Sequence, residues 1–252
     1  MLLEKKSKSI GALICIAIGV AILTGMMLPK NKKNAKINNL EIPRYTVERD
    51  GLRVAHTGYT VDFNADWHIP NWVAYELTAD ELQGEEERAK NFRPDPSLID
   101  VCPDTKEYSH SGYDRGHMAP AADMKWSRKA MEESFYLSNV CPQLYNLNSG
   151  DWQELEIRVR RWASDFGSVY IVCGPIVNPG YQTIGSMKVA VPSAFYKVLL
   201  CQNKGQWQAI GFVFKHEAGH KKLVNYCKSV DEVEKMTGID FFYLLDDKIE
   251  NS

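Results

Sequence analysis

Residues 72–77 (WVAYEL) form an apolar, partly β-branched run that predicts an early strand. The stretch after it, 78–104, is acidic and carries prolines, which predicts loops. Across residues 123–137, Trp126, Ala130, Met131 and Phe135 recur at helical spacing, so a helix is expected there with those four side chains inward. A second helix is expected to be capped by Ser149 or Asp151 and to run through Trp152, Leu155, Ile157, Val159 and Trp162 to Phe166. The period then changes. Residues 169–174, 194–202 and 206–215 are β-branched and aromatic runs broken by Gly and Pro, and the last two, joined by Asn203-Lys204-Gly205, read as a hairpin. Ser229-Val230-Asp231-Glu232 has the form of a helix start with acidic first-turn residues, leading to an apolar end at 241–245. This mixture implies an α+β fold with largely antiparallel pairing.

The N-terminal segment departs from that pattern. Residues 9–29 (SIGALICIAIGVAILTGMMLP) carry no charge, and a run of 21 residues can cross a hydrocarbon layer as a helix. A cleaved signal sequence would share the basic start but would end a shorter apolar core at an Ala-x-Ala-like site, whereas this run leaves through Met26-Met27-Leu28-Pro29. Residues 1–36 therefore read as a transmembrane anchor and linker, with a signal sequence as the alternative, and residues 37–252 as one globular domain. Lysines on both flanks determine orientation only weakly. The expectation is a domain exported to the periplasmic or extracellular face.

The formal charge of −2 hides an asymmetry, because residues 1–36 hold seven lysines against one glutamate. Residues 37–252 carry 23 basic and 31 acidic groups, a net of −8, which excludes a globally basic nucleic-acid coat. Five cysteines follow the anchor without a CxxC pair, and Cys173 and Cys201 lie in strand-like runs where a buried thiol is expected.

The densest chemical signal is Tyr113-Asp114-Arg115-Gly116-His117-Met118-Ala119-Pro120-Ala121. A histidine beside an arginine on a glycine-turned segment offers a general base next to a permanent cation suited to phosphate oxygens. Alone, such a triplet is more often a loop with a surface histidine. The next block gives it weight: Ser138-Asn139-Val140-Cys141-Pro142-Gln143, then Asn148, Trp152 and Glu156. Eight residues is about two helical turns, so Asn148 and Glu156 would share a helix face and could serve one hard cation directly or through its water. Few protein ligands and many waters suit Mg2+, with Mn2+ or another divalent ion able to substitute.

Together these blocks resemble the DNA/RNA non-specific endonucleases, the ββα-metal (His-Me finger) nucleases that include Serratia-type secreted nucleases and mitochondrial endonuclease G. Residues 173–176 (CGPI), 191–193 (VPS) and 195–197 (FYK) look like the family's later strands. The resemblance implies a central, mainly antiparallel sheet flanked by helices and hydrolysis of DNA and RNA to 5′-phosphate products. It implies His117 as general base, Asn148 as metal ligand, Glu156 orienting metal-bound water, and Arg115 near the phosphate. Asn139 and Gln143 would support the site, Asn139 near His117 and Gln143 on the substrate side. The family's upstream arginine is best matched by Arg88, with Arg93 or Lys90 as alternatives, and Arg93 would then contact substrate. A homodimer is left open. With a net of −8, backbone contact would rest on local basic groups such as Lys125, Arg128, Lys129, Arg158, Arg160 and Arg161.

Two other readings compete. His216-Glu217-Ala218-Gly219-His220 is a literal HExxH, which on a helix would hold zinc with Glu217 as base. It follows a strand-like run and contains Gly219, so a strand-exit loop is the expectation. A membrane-tethered nucleic-acid-binding protein with an impaired site is the non-enzymatic alternative.

Overall fold

A computed structural model of the chain describes residues 39–217, 219 and 221–245. The apolar run 9–29, and with it the expected anchor, lies outside the described residues. Among the described residues no helix is long and apolar enough to cross a membrane.

The strands are, in chain order, β1 (Arg44–Tyr45), β2 (Leu52–Ala55), β3 (Thr60–Asn64), β4 (Ile69–Thr78), β5 (Asp114–His117) and β6 (Val140–Gln143). They continue with β7 (Ser168–Ile176), β8 (Thr183–Ile184), β9 (Val189–Ala190), β10 (Ala194–Asn203), β11 (Gln206–Lys215), β12 (Cys227–Lys228) and β13 (Ile239–Asp240). Seven of them build a wholly antiparallel sheet in the order β12-β11-β10-β7-β4-β3-β2. The architecture is thus α+β around a central antiparallel sheet, as the alternation of periods implied.

Strand alternation sends side chains to two separate cores. On one face Val73, Tyr75, Leu77, Val169, Ile171, Cys173, Phe195 and Leu199 pack with Trp152, Leu155 and Val159. On the other, Trp72, Ala74, Val172, Tyr196 and Val198 pack with Val230, Val233 and Phe241, with Leu40 and Ile42, and with Tyr45 and Ile239 from the paired β1 and β13. Buried on both faces, the central strands have near-continuous apolar sequences rather than clean alternation.

The helices are shorter than the apolar spacing suggested. Only Arg128–Glu133 (α1) is α-helical within 123–137, because Ser127 accepts from the Ala130 amide and starts the helix there. The second, α2 (Gln153–Phe166), begins after Leu147–Trp152, a widened turn in which Gly150 leaves helical geometry at φ −111°, ψ −114°. Ile157, within this helix, is 57% exposed. The third, α3 (Val230–Thr237), keeps the anticipated start: Ser229 and Glu232 form a reciprocal capping box, and Gly238 at φ 68° ends the helix. The expected hairpin is present too, β10 and β11 joined through Lys204 and Gly205, both at positive φ as a tight primed turn requires.

Candidate active site

Asp114 to His117 is a strand, not the glycine-turned loop expected from the sequence. β5 pairs antiparallel with β6, Asp114 opposite Gln143 and His117 opposite Val140, so the two sequence blocks meet as a ribbon. Gly116 gives room rather than a turn. A Cβ there would stand 2.1 Å from Gln143 Oε1. Gln143 itself is fully buried, and both polar atoms of its amide lack a partner. That is no place for a direct substrate contact in this conformation; its position beneath Gly116 makes it part of the ribbon's underside.

Asn139 is buried and acts on the backbone after His117. Its Oδ1 accepts from Ala119 N (2.9 Å), and its Nδ2 donates to the carbonyls of Ala119 (2.8 Å) and Ser134 (2.9 Å). It makes no bond to the imidazole. Trp152 adds a donor from α2's entry, its Nε1 reaching the His117 carbonyl at 3.2 Å.

The His117 ring is 8% exposed and lies between Phe92 and Phe135, both centroids 5.0 Å away. Nε2 is enclosed and has no partner, so Nδ1 is the nitrogen left to exchange protons. Burial, reinforced by the positive charge of Arg88, pulls its pKa from 6.5 down to about 3, and the ring is neutral at physiological pH. The Arg88 guanidinium lies 5.1 Å over Phe135, and its charge also acts on Glu156. Burial pushes the Glu156 carboxyl up from 4.5 to about 7, against the lowering pull of Lys197, Arg160 and Arg88; Asp123 adds to the rise.

Of Arg88, Lys90 and Arg93, Arg88 is the one whose charge acts on the histidine. Its segment is stapled to the 135–137 backbone by Arg93 N to Phe135 O (3.1 Å) and Leu137 N to Arg93 O (2.9 Å). Arg93, expected on the substrate side, points elsewhere: its guanidinium lies 4.9 Å over Tyr136 and 3.9 Å from Glu132. Arg115 is exposed, 4.9 Å over Phe92, and with Asp114, Tyr108, Ser109, His110 and Tyr113 lines a cavity of about 280 Å³.

Asn148 joins the ribbon through a different geometry from the expected helix face. It sits in the widened turn, and its Nδ2 donates to Asp114 Oδ2 at 3.0 Å. A carboxylate only accepts, so the nitrogen must face Asp114, which leaves Oδ1 as the amide's outward acceptor. Among the described residues no three His, Cys, Asp or Glu gather into a metal-binding cluster. An oxygen-seeking ion held by one amide oxygen and its own waters fits that donor set; a zinc cage does not.

His216 confirms the last point. Its Nδ1 bonds the Pro192 carbonyl at 2.7 Å and its Nε2 accepts from Leu144 N at 2.8 Å, so neither nitrogen is open to a metal. It follows the end of β11 instead of sitting on a helix, and Glu217 pairs with Lys221. His220 lies outside the described residues.

The family model for DNA/RNA non-specific endonucleases matches residues 36–248. The chain belongs to the DNA/RNA non-specific endonuclease family. Among its relatives, the nuclease EXOG, mitochondrial, of Danio rerio is 37% identical over 209 residues, covering 74% of this chain and 60% of the relative. Endonuclease G, mitochondrial, of Homo sapiens is 40% identical over 185 residues, 68% of this chain and 62% of that protein. The chain thus spans about three fifths of the length of these relatives. In a solved EndoG/EndoGI complex that describes the mechanism of EndoG inhibition, one chain superposes at a TM-score of 0.75 with 28% identity, over 80% of this chain and 90% of that one.

Several residues around the candidate site are not legible from the sequence alone. Asp123 is buried between Tyr75 Oη and Arg160 Nη1, each 2.8 Å away. Arg160, counted above among surface cations, therefore turns inward. Arg128 and Lys129 also pair, with Glu132 and Glu133, which further thins the expected basic patch. Lys197 is 1% exposed. Its signal was available: one lysine inside the apolar run of β10.

Proposed function

We propose that this protein is a divalent-metal-dependent, sugar-non-specific endonuclease that hydrolyses phosphodiester bonds of DNA and RNA to 5′-phosphate products through a ββα-metal (His-Me finger) site. The observation that carries the reading is His117: a neutral, enclosed imidazole with one nitrogen available, flanked by Arg88 and by a ribbon whose Asp114 orients Asn148.

In this reading Nδ1 of His117 accepts the proton of the attacking water. A pKa of about 3 makes the resting imidazole a weak base. A phosphodiester anion arriving beside Arg88 offsets the cation that depresses it, so basicity rises when substrate is in place. Arg88 and Arg115 grip phosphate oxygens, and Glu156 orients water at the site. Asn148 Oδ1 would hold Mg2+, or Mn2+ in its place, and the bound cation supplies charge stabilisation to the phosphate and the departing 3′-oxygen. The aromatic rings of Phe92 and Phe135 keep bulk water off the imidazole.

Plasmid DNA and RNA incubated with the protein and Mg2+ should both be degraded, chelator should stop it, and His117→Ala should slow cleavage by about 10²–10⁴-fold. Cleavage that persists in His117→Ala would refute the assignment, as would loss of activity confined to His216→Ala with casein as substrate. We place the protein at a membrane through residues 9–29 with the enzyme domain exported, because an enzyme with so little base discrimination endangers its host's own nucleic acid. Protease added to intact cells should digest residues 37–252, and full protection would overturn that placement.

A further inference from the structure

Lys197 sits where a charge is least expected. Alternation along β10 puts it on the same sheet face as Phe195 and Leu199, with Cys173 and Phe212 as its cross-strand neighbours. It is 1% exposed. Its Nζ lies 4.5 Å over the Trp152 ring and donates to the Met118 carbonyl at 3.4 Å, where Cys173 Sγ also donates at 3.2 Å. Trp152 in turn holds the carbonyl of His117. Two consecutive carbonyls at the end of the histidine strand are thus braced from beneath by one connected group.

The same ammonium is the leading charge acting on Glu156, ahead of Asp123, Arg160 and Arg88, which face that carboxylate from the turn before α1, from α2 and from the upstream segment. A buried charge is weak evidence for stability, since an apolar residue of similar size often serves the fold as well or better. The position of Lys197 is therefore better explained by the site above it. We propose that Lys197 is a positioning residue for phosphodiester hydrolysis, its ammonium fixing the end of the His117 strand through the Met118 carbonyl and the Trp152 ring. The inference rests on the nuclease reading given above.

The test is a double-mutant cycle on the full chain, with kcat and KM measured on plasmid DNA in Mg2+. Lys197→Met should lower kcat roughly 10- to 100-fold with KM held within about twofold. Lys197→Gln, which keeps a donor but no charge, should show a comparable loss. In a His117→Ala background either change should cost less than about threefold, because the imidazole it positions is gone. An unchanged kcat, an equal loss in both backgrounds, or a rise confined to KM would overturn the proposal. Circular dichroism reports whether each variant folds. If only the Met variant fails to fold, the Gln variant carries the cycle; if neither folds, the lysine is structural and the proposal falls. A wild-type protein inert on nucleic acid sinks the nuclease reading and this inference together, whereas active Lys197 variants sink this inference alone.

Discussion

Replacing Asn139 with alanine removes a buried amide that satisfies three backbone groups, the N–H and C=O of Ala119 and the C=O of Ser134, at 2.8–2.9 Å. A buried polar group left without its partner costs about 1–3 kcal/mol. Water entering the vacated space and small backbone shifts recover part of that, so the expected loss is about 3–5 kcal/mol, large for a single substitution. A domain of this size is typically stable by about 5–15 kcal/mol, so the variant should fold but with a much reduced margin. Guanidinium unfolding followed by circular dichroism measures the loss directly, and the thermal midpoint should fall by roughly 10–15 °C. Asn139→Asp separates hydrogen bonding from shape. The carboxylate could still accept from Ala119 N, but its second oxygen would face two carbonyls, so the loss should match or exceed that of alanine. Activity per folded molecule should fall less than in His117→Ala, because the amide does not touch the imidazole. A stability loss below about 1 kcal/mol for Asn139→Ala would refute the account of this side chain as a backbone clamp.

The pH dependence of stability should be shallow in acid because two site residues oppose each other. His117, depressed from 6.5 to about 3, contributes stability that is present above 6.5 and lost as pH falls toward 3. Glu156, raised from 4.5 to about 7, contributes stability that is present below 4.5 and lost as pH rises through 7. In Glu156→Gln the second effect disappears, so between pH 4.5 and 6.5 stability should climb more steeply than in the wild type, by up to about 1.4 kcal/mol per pH unit; parallel curves would contradict both shifts. His216→Ala should cost about 1–3 kcal/mol of stability through its two backbone bonds while leaving nucleic-acid cleavage in place. Added zinc should not raise the thermal midpoint of the wild type, and a zinc-dependent rise would revive the HExxH motif.

The strands of the sheet were legible because β4, β7, β10 and β11 are long, apolar and β-branched, and the turn at Lys204-Gly205 has its own signature. Helix limits were less so. Ser127 and Gly150 set the starts of α1 and α2 by local geometry that periodicity does not encode, and the two-residue strands depend on tertiary pairing alone. At the candidate site, the fold brings the spaced blocks from Asp114 to Asn148 together, and it is Arg88 rather than Arg93 whose charge acts on His117. Periodicity could not show that β5 and β6 are one ribbon, that Gln143 is buried under Gly116, or that Arg160 turns inward to Asp123, because each depends on a partner distant in sequence.

The pairing of Arg44–Tyr45 with Ile239–Asp240 joins both ends of the described chain on the sheet face opposite the histidine ribbon. A load applied at Asn39 would first peel a two-residue ladder at the rear of the molecule. The histidine ribbon is mechanically insulated from strain entering there.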